Sequence, residues 1–299
     1  MCGIVGLFIK NPAMEANLGN WLSDMLIEMT DRGPDSAGIA IYRNPVAANQ
    51  TKITLLSRDE DIDWKKLGEQ LKKDLHAAFE IEPVLNHAIV TTDANADDIK
   101  TWLEQNRPEI LVNASGKVIE AYKQIGLPEN LIERFNVRKM QGTHALGHSR
   151  MATESNVTTE HSHPFATGED LCLVHNGSLS NHNRLRTFLR DQKIKFQTDN
   201  DSEVAAGYLT WRLREGDSLE QALEAAMKDL DGFYTFAIGT QDGFAVLRDP
   251  IGCKPAVMAE TDDWAAMASE FRAIECLPGA ESAKIWEPEP SRIYSWQRD

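Results

Sequence analysis

Cysteine is scarce in this 299-residue chain: only Cys2, Cys172, Cys253 and Cys276 occur, and no two of them have the Cys-x-x-Cys spacing of a zinc ribbon. So sparse a set excludes a disulfide framework and is expected of a reduced, cytoplasmic protein. Basic residues are also in short supply, 31 Lys and Arg against 46 Asp and Glu, for a formal net charge of −15. A surface of that sign offers no basic face with which to displace counterions from nucleic acid or to dock on an anionic membrane. No apolar run reaches about 18 residues and no signal-peptide pattern is visible, so neither a membrane span nor secretion is expected. Internal repeats and low-complexity segments are absent as well. What remains is ordinary for a soluble globular protein, 42% hydrophobic and 26% charged residues, with enough length for one large core or two modest ones.

Against that background the N-terminus carries the strongest signal, Met1-Cys2-Gly3-Ile4-Val5-Gly6. Removal of Met1 before the small Cys2 would place a thiol and a free α-amino group on one residue. A thiol titrates near about 8.5 and an α-amino group near about 7.7–8.0, so the two are matched for proton exchange close to neutral pH. An N-terminal amine can then serve as the base for its own side chain. The plain alternative is a small buried residue opening a strand.

Gly3 to Ile9 reads as a buried strand. Asn11-Pro12 supplies a cap and a first-turn proline, and Leu18, Trp21, Leu22, Met25, Leu26 and Met29 recur at helical spacing. The loop Asp31-Arg32-Gly33-Pro34-Asp35-Ser36-Ala37-Gly38 and strands near Ile39–Tyr42 and Ile53–Leu56 follow. From about 63 to 141 the character changes to a small α/β insert, with helices expected at Trp64–Phe79, Asp97–Asn106 and Lys117–Ile125 and strands at His87–Thr91 and Ile110–Asn113. Past Gly142, strands are expected at Ala145–His148, Leu171–His175, Phe233–Ile238 and Phe244–Leu247, and helices at Asn183–Arg190, Ser202–Arg214 and Leu219–Leu230. Gln241-Asp242-Gly243 reads as a hairpin turn. The hairpin-like spacing favours stacked antiparallel sheets covered by helices over a doubly wound parallel sheet.

Several short motifs stand in order along the chain: Cys2-Gly3-Ile4, Arg32-Gly33-Pro34-Asp35-Ser36-Ala37-Gly38, Gly147-His148-Ser149-Arg150-Met151-Ala152-Thr153, His175-Asn176-Gly177 and Asn200-Asp201-Ser202-Glu203. Arg248-Asp249-Pro250-Ile251-Gly252-Cys253-Lys254-Pro255 and Ala268-Ser269-Glu270 come later. In this order they resemble the glutaminase domain of class II glutamine amidotransferases, the N-terminal-nucleophile enzymes that include glutamate synthase and phosphoribosylpyrophosphate amidotransferase. Each motif has a bland alternative: Asn176-Gly177 also suits a turn, Asp201 a helix cap and Arg150 a surface ion pair. The ordered set is what carries the resemblance, over a domain of residues 2–299 with the insertion at about 63–141.

The resemblance implies an α+β fold, a four-layer αββα N-terminal-nucleophile hydrolase sandwich with a small α/β insertion. It also implies L-glutamine as substrate and Cys2 as nucleophile and base. Asn176 and the Gly177 N–H would then supply the oxyanion donors. Arg150 and Thr153 would hold the α-carboxylate end and Asp201 the α-ammonium, with Gly177 also among the substrate-binding residues. Arg32 would order the nucleophile loop. His144 with His148, and His161 with His163, are spaced closely enough to suggest ligands, yet no metal and no cofactor is expected.

Glu154 and Met151 depart from the sugar-phosphate-linked relatives, which carry a histidine and an aromatic residue there, and the remaining pattern leans towards glutamate synthase. No acceptor-binding segment is left over in the chain, so the preferred expectation is a separate amidotransferase subunit working with synthase subunits of glutamate-synthase type. Among such split systems it most resembles the amidotransferase subunit of N-methylglutamate synthase, in methylamine metabolism. A free-standing γ-glutamyl amide hydrolase and a non-catalytic glutamine-sensing assembly subunit are the alternatives.

Overall fold

The computed structural model describes residues 2–152 and 157–298. Its largest sheet has seven antiparallel strands, in the order Lys284–Trp286, Val257–Glu260, Trp264–Ala268, Gly3–Ile9, His144–Arg150, Ser36–Tyr42 and Ile119–Ile125. Gly3–Ile9 is buried along its whole length because it lies at the centre, with Val5 opposite both Ala268 and Gly147. The chain therefore enters the domain through the middle of its main sheet, and Cys2 lies at that strand's entry end.

A second sheet of five antiparallel strands runs in the order Ile293–Gln297, Gly243–Arg248, Gly232–Gly239, Leu171–Leu179 and Phe165–Gly168. The two sheets meet face to face through Ile4, Phe8, Tyr42, Leu146, Val174, Phe244, Val246 and Met267, all buried. Each such large apolar side chain contributes about 1.5–3 kcal/mol on leaving water. The outer face of the seven-stranded sheet is covered by the helix Leu18–Ile27, with Pro128–Arg134 and Arg272–Glu275 beside it. Helices His182–Asp191, Asp201–Arg214 and Leu219–Asp229 cover the outer face of the other sheet through Leu185, Leu189, Leu209 and Leu223. The layers are thus helix, sheet, sheet, helix, the α+β sandwich expected from the motifs.

A third sheet runs in the order Phe79–Val84, His87–Thr92, Thr51–Ser57 and Ile110–Gly116, with helices Trp64–Leu75 and Ala96–Asn106 on it. Against an expected insert of about 63–141, this separate sheet is drawn from residues between Thr51 and Gly116. Lys117–Ile125, expected to be helical, is instead the strand Ile119–Ile125 at the edge of the main sheet. Phe79–Val84 is a strand where the helical pattern ran on to Phe79.

Three histidines are enclosed by this packing without any solvent route to charge. His87 lies against Asn86 Oδ1 and the edge of Phe135, His144 between Thr143 Oγ1 and Thr240 O with its ring stacked on Tyr42, and His148 Nε2 against His175 O. Burial pushes each of them down to about 3. In the unfolded chain the same groups titrate near about 6.5, so between those values the unfolded state binds protons that the native state refuses. Their contribution to stability is complete above pH ~6.5 and is lost as pH falls towards about 3. Urea unfolding followed from pH 7 down to pH 5 should show a steadily falling midpoint, and unfolding at pH 5 should take up close to three protons at these three residues. A midpoint flat over that range would contradict their neutral burial.

Candidate active site

Cys2 is half-buried, and its backbone carbonyl is the meeting point of the site. It accepts from Arg32 Nε at 3.1 Å and from Asn176 Nδ2 at 3.2 Å. Its Sγ lies 3.9 Å from Met151 O. Residues from both sheets and from the Arg32 loop are therefore gathered on one residue.

Arg32 reaches Cys2 because the loop behind it passes against the end of the His144–Arg150 strand. A Cβ on Gly33 would come within 2.4–2.5 Å of the Ser149 and Arg150 backbone, so only glycine admits this approach. Beyond the loop, Asp35 N donates to Arg150 O at 3.0 Å and Asp35 Oδ2 accepts from Ala152 N at 2.8 Å. The far side of the guanidinium is held by Glu270, whose Oε1 is 2.6 Å from Arg32 Nη1 while its Oε2 is 2.9 Å from Arg272 Nε. The hydrogen bond from Arg32 holds the Glu270 carboxyl below the ordinary glutamate range. Sequence motifs drew attention to Ser269-Glu270 without giving them a part. Ser269 Oγ accepts from Ile4 N at 3.0 Å and Ser269 N donates to Ile4 O at 2.9 Å, locking the start of the central strand.

Arg150 ends its strand opposite Ser36 and is buried, so it is no surface residue. Asn176 and Gly177 are no turn either. They lie inside the strand Leu171–Leu179, opposite Thr235 and Tyr234. Gly177 has φ +152°, and a Cβ there would stand 2.0 Å from Phe233 O, so backbone conformation and space both require glycine.

Asp201 is the first residue of its helix and not the cap, which is Asn200: Asn200 Oδ1 accepts from Ser202 N at 2.8 Å. Asp201 Oδ2 accepts from Leu179 N at 2.9 Å, two residues beyond Gly177 on the same strand. The loop feeding this helix is clamped from three sides. Glu203 accepts from Gln197 N, Thr198 N and Thr198 Oγ1; Arg186 donates to Thr198 O and Asn200 O. The Gln197 side-chain amide bridges to the third sheet, accepting from Val112 N at 3.0 Å and donating to Val112 O at 2.7 Å.

Cys2, Arg32 and Asn176 are in direct contact, Arg150 adjoins Met151 beside the thiol, and Asp201 is joined to the Asn176-Gly177 strand. Thr153 and Glu154 lie outside the described residues. Of the spaced histidines, His161 bonds Thr158 Oγ1 and Asp199 Oδ1, while the rings of His148 and His163 stack 3.9 Å apart. A cleft of about 920 Å³ lies elsewhere: it is lined by Lys100, Leu103, Ile194, Phe196 and Arg214 and touches none of the residues around Cys2. Convergent polar groups, and not cavity size, mark the site.

The chain is similar to known proteins along nearly its whole length. Residues 148–276 match the glutamine amidotransferase domain family. The chain is 52% identical over 297 residues to the "Glutamine amidotransferase-like protein GlxB" of Rhizobium meliloti, covering 99% of this chain and 98% of that protein. It is 31% identical over 304 residues to the "Putative glutamine amidotransferase" of Methanothermobacter thermautotrophicus, covering 98% and 99%. Among solved structures it superimposes on the glutamine phosphoribosylpyrophosphate amidotransferase of B. subtilis with a TM-score of 0.60 at 21% identity, over 99% of this chain and 49% of that one. The chain thus spans about half the length of that structure, and the likeness is one of fold. The shared fold is the layered α+β sandwich. The chain belongs to the class II glutamine amidotransferase family.

Proposed function

We propose that this chain is a glutaminase subunit that uses Cys2 to hydrolyse L-glutamine to glutamate and ammonia. The ammonia passes to separate synthase subunits of glutamate-synthase type, and specifically of N-methylglutamate synthase. The observation that carries the catalytic part is the bond from Asn176 Nδ2 to Cys2 O. A side-chain amide has two N–H groups, and one is spent on that carbonyl. The other is free to meet an oxyanion formed on a substrate carbonyl attacked by the adjoining thiolate.

In the proposed sequence Met1 is removed, and the freed α-amine of Cys2 takes the thiol proton as the sulfur attacks the glutamine Cδ. The oxyanion is met by Asn176 Nδ2–H and the Gly177 N–H. The amine returns the proton to the departing nitrogen, which leaves as ammonia, and water then cleaves the thioester to glutamate and restores the thiol. Arg150, with Thr153, takes the α-carboxylate and Asp201 the α-ammonium. Arg32, tied to Glu270, keeps Cys2 in place.

The subunit reading draws support from near end-to-end similarity to a GlxB protein of comparable length and from the third sheet, which no step of this chemistry uses. No helix among the described residues is long and apolar enough to cross a membrane. Closing an ammonia-tight site orders loops, a cost that a docked partner offsets. Affinity purification from the native host should therefore recover synthase subunits, and stripping them should slow glutamine turnover. A chain that purifies alone and releases ammonia at an undiminished rate would instead be a free-standing γ-glutamyl amide hydrolase. One that binds glutamine without turnover would be a sensing subunit.

A further inference from the structure

Behind Asp201 lies a buried group of side chains that the chemistry above does not use. Ser202 is 1% exposed, and its hydroxyl oxygen is within reach of three partners: His163 Nε2 at 2.7 Å, His175 Nδ1 at 2.9 Å and Asp201 Oδ1 at 3.3 Å. A hydroxyl has one proton to give and two lone pairs to offer, which matches three partners only in one arrangement. The carboxylate accepts only, so it takes the Ser202 proton, and both imidazoles must then donate to Ser202. This order leaves bare lone pairs on His163 Nδ1 and His175 Nε2, neither of which has a hydrogen-bond partner among the described residues. Reversing it would bury an unpaired N–H on one of those atoms and leave Asp201 Oδ1 without its donor, a costlier state.

The ordering needs both rings neutral, and burial pushes both of them below the ordinary histidine range, with Asp201 pulling His175 the other way to a smaller extent. Donors therefore run in one direction, from two imidazoles through one hydroxyl to one carboxylate oxygen. Asp201 Oδ2 is fixed separately by Leu179 N. His148 joins the same structure from the strand side, its Nε2 lying 3.2 Å from His175 O, the carbonyl of the peptide that leads into Asn176.

From this geometry we infer that Ser202, backed by His163 and His175, is a positioning residue that aims the Asp201 carboxylate and so sets the enzyme's preference for substrates bearing an α-ammonium group. The inference rests on the proposed assignment of Asp201 to that ammonium. Both carboxylate oxygens are held from inside the protein, and their remaining lone pairs keep a fixed direction towards the bound amino acid. With the Ser202 hydroxyl gone, the carboxylate would keep the bond from Leu179 N, and its Oδ1 would face only His175 Nδ1 at 3.9 Å, beyond hydrogen-bond reach, so that it would turn about the Leu179 tether.

The test compares glutamine with glutaramate, the same γ-amide and carboxylate without the α-amine, for wild type, Asp201→Ala, Ser202→Ala and Ser202→Thr. Ser202→Ala should raise KM for glutamine about tenfold, the weight of one hydrogen bond to a charged group, with kcat for glutamine changed by less than about twofold. KM for glutaramate should stay where it is, and Ser202→Thr, which keeps the hydroxyl, should restore much of the preference. A purely structural serine would affect both substrates alike, and that result would overturn the inference. If Ser202→Ala does not fold, Ser202→Cys carries the same expectation, because its volume is close and its donor is weak. Should Asp201→Ala also leave the preference between the two substrates unchanged, the assignment of Asp201 has failed. If Asp201→Ala abolishes the preference and the Ser202 variants do not disturb it, only the positioning role falls.

Discussion

Cys2→Ala will give a folded protein whose glutamine turnover is below about one part in 10⁴ of the wild type, the scale on which loss of a nucleophile is felt. The fold should survive because the Cys2 side chain is half-buried and its contact with Met151 O is a long one at 3.9 Å, while the anchoring bonds from Arg32 and Asn176 fall on the backbone carbonyl, which alanine retains. Cys2→Ser should be nearly as inactive, since a hydroxyl is far harder for an α-amine to deprotonate than a thiol. The same logic requires active protein to begin at Cys2, because the base is the amine that Met1 would otherwise block. Intact mass of the active protein should be one methionine short. An active preparation that retains Met1, or a Cys2→Ala variant that turns over normally, would remove the basis of the proposed mechanism.

The second large effect concerns the oxyanion. Asn176→Ala should cut kcat by about 10²–10³ with a much smaller change in KM, because the lost donor acts where charge develops in the transition state. In this protein the expectation has a further component. Asn176 also bonds Cys2 O, so the substitution releases one of the two tethers on the nucleophile's backbone and leaves only Arg32 Nε. The two parts separate in a pair of measurements. If loosening of Cys2 dominates, Arg32→Ala should cost as much as Asn176→Ala. If the oxyanion dominates, Arg32→Ala should cost distinctly less. A change confined to KM in Asn176→Ala would reassign the residue to substrate capture.

The sandwich was legible in the sequence where burial followed simple periodicity. Gly3–Ile9, Leu171–Leu179 and the Leu18–Ile27 helix declare themselves by apolar runs or helical spacing. Ile119–Ile125 did not, because its buried positions include charged residues. Glu120 is paired with Lys52 at 3.1 Å and Arg43 at 3.0 Å, and Lys123 lies over the Phe165 ring at 4.6 Å. Partners 40 to 80 positions away make those charges tolerable indoors, and a local pattern carries no trace of them. Phe79–Val84 was hidden differently. It follows Trp64–Leu75 after only three residues, so Ala77, Ala78 and Phe79 read as more of the same helix.

The motif residues that meet at Cys2 were legible by their order, and the loop glycine Gly33 by its place in that order. The part of Ser202 was not. Its partners come from positions 163 and 175, on separate stretches of chain, and only the folded arrangement shows that one hydroxyl serves both imidazoles. Nor did spacing distinguish Asn200 from Asp201 as the helix cap, since both residue types suit that position equally.

The Gln197–Val112 bridge has a consequence for anyone who would shorten this protein. One side chain there completes both backbone bonds of a residue on the free edge of the third sheet, and four residues later the same chain segment reaches Asp201. Excising residues 51–116 to obtain a minimal catalytic module would strip the Gln197 amide of both partners and slacken the stretch that sets where Asp201 begins. The third sheet is therefore part of the frame that sets where the Asp201–Arg214 helix begins, and grafts or deletions in this chain should be cut on the far side of that sheet, around the turn between Val84 and His87.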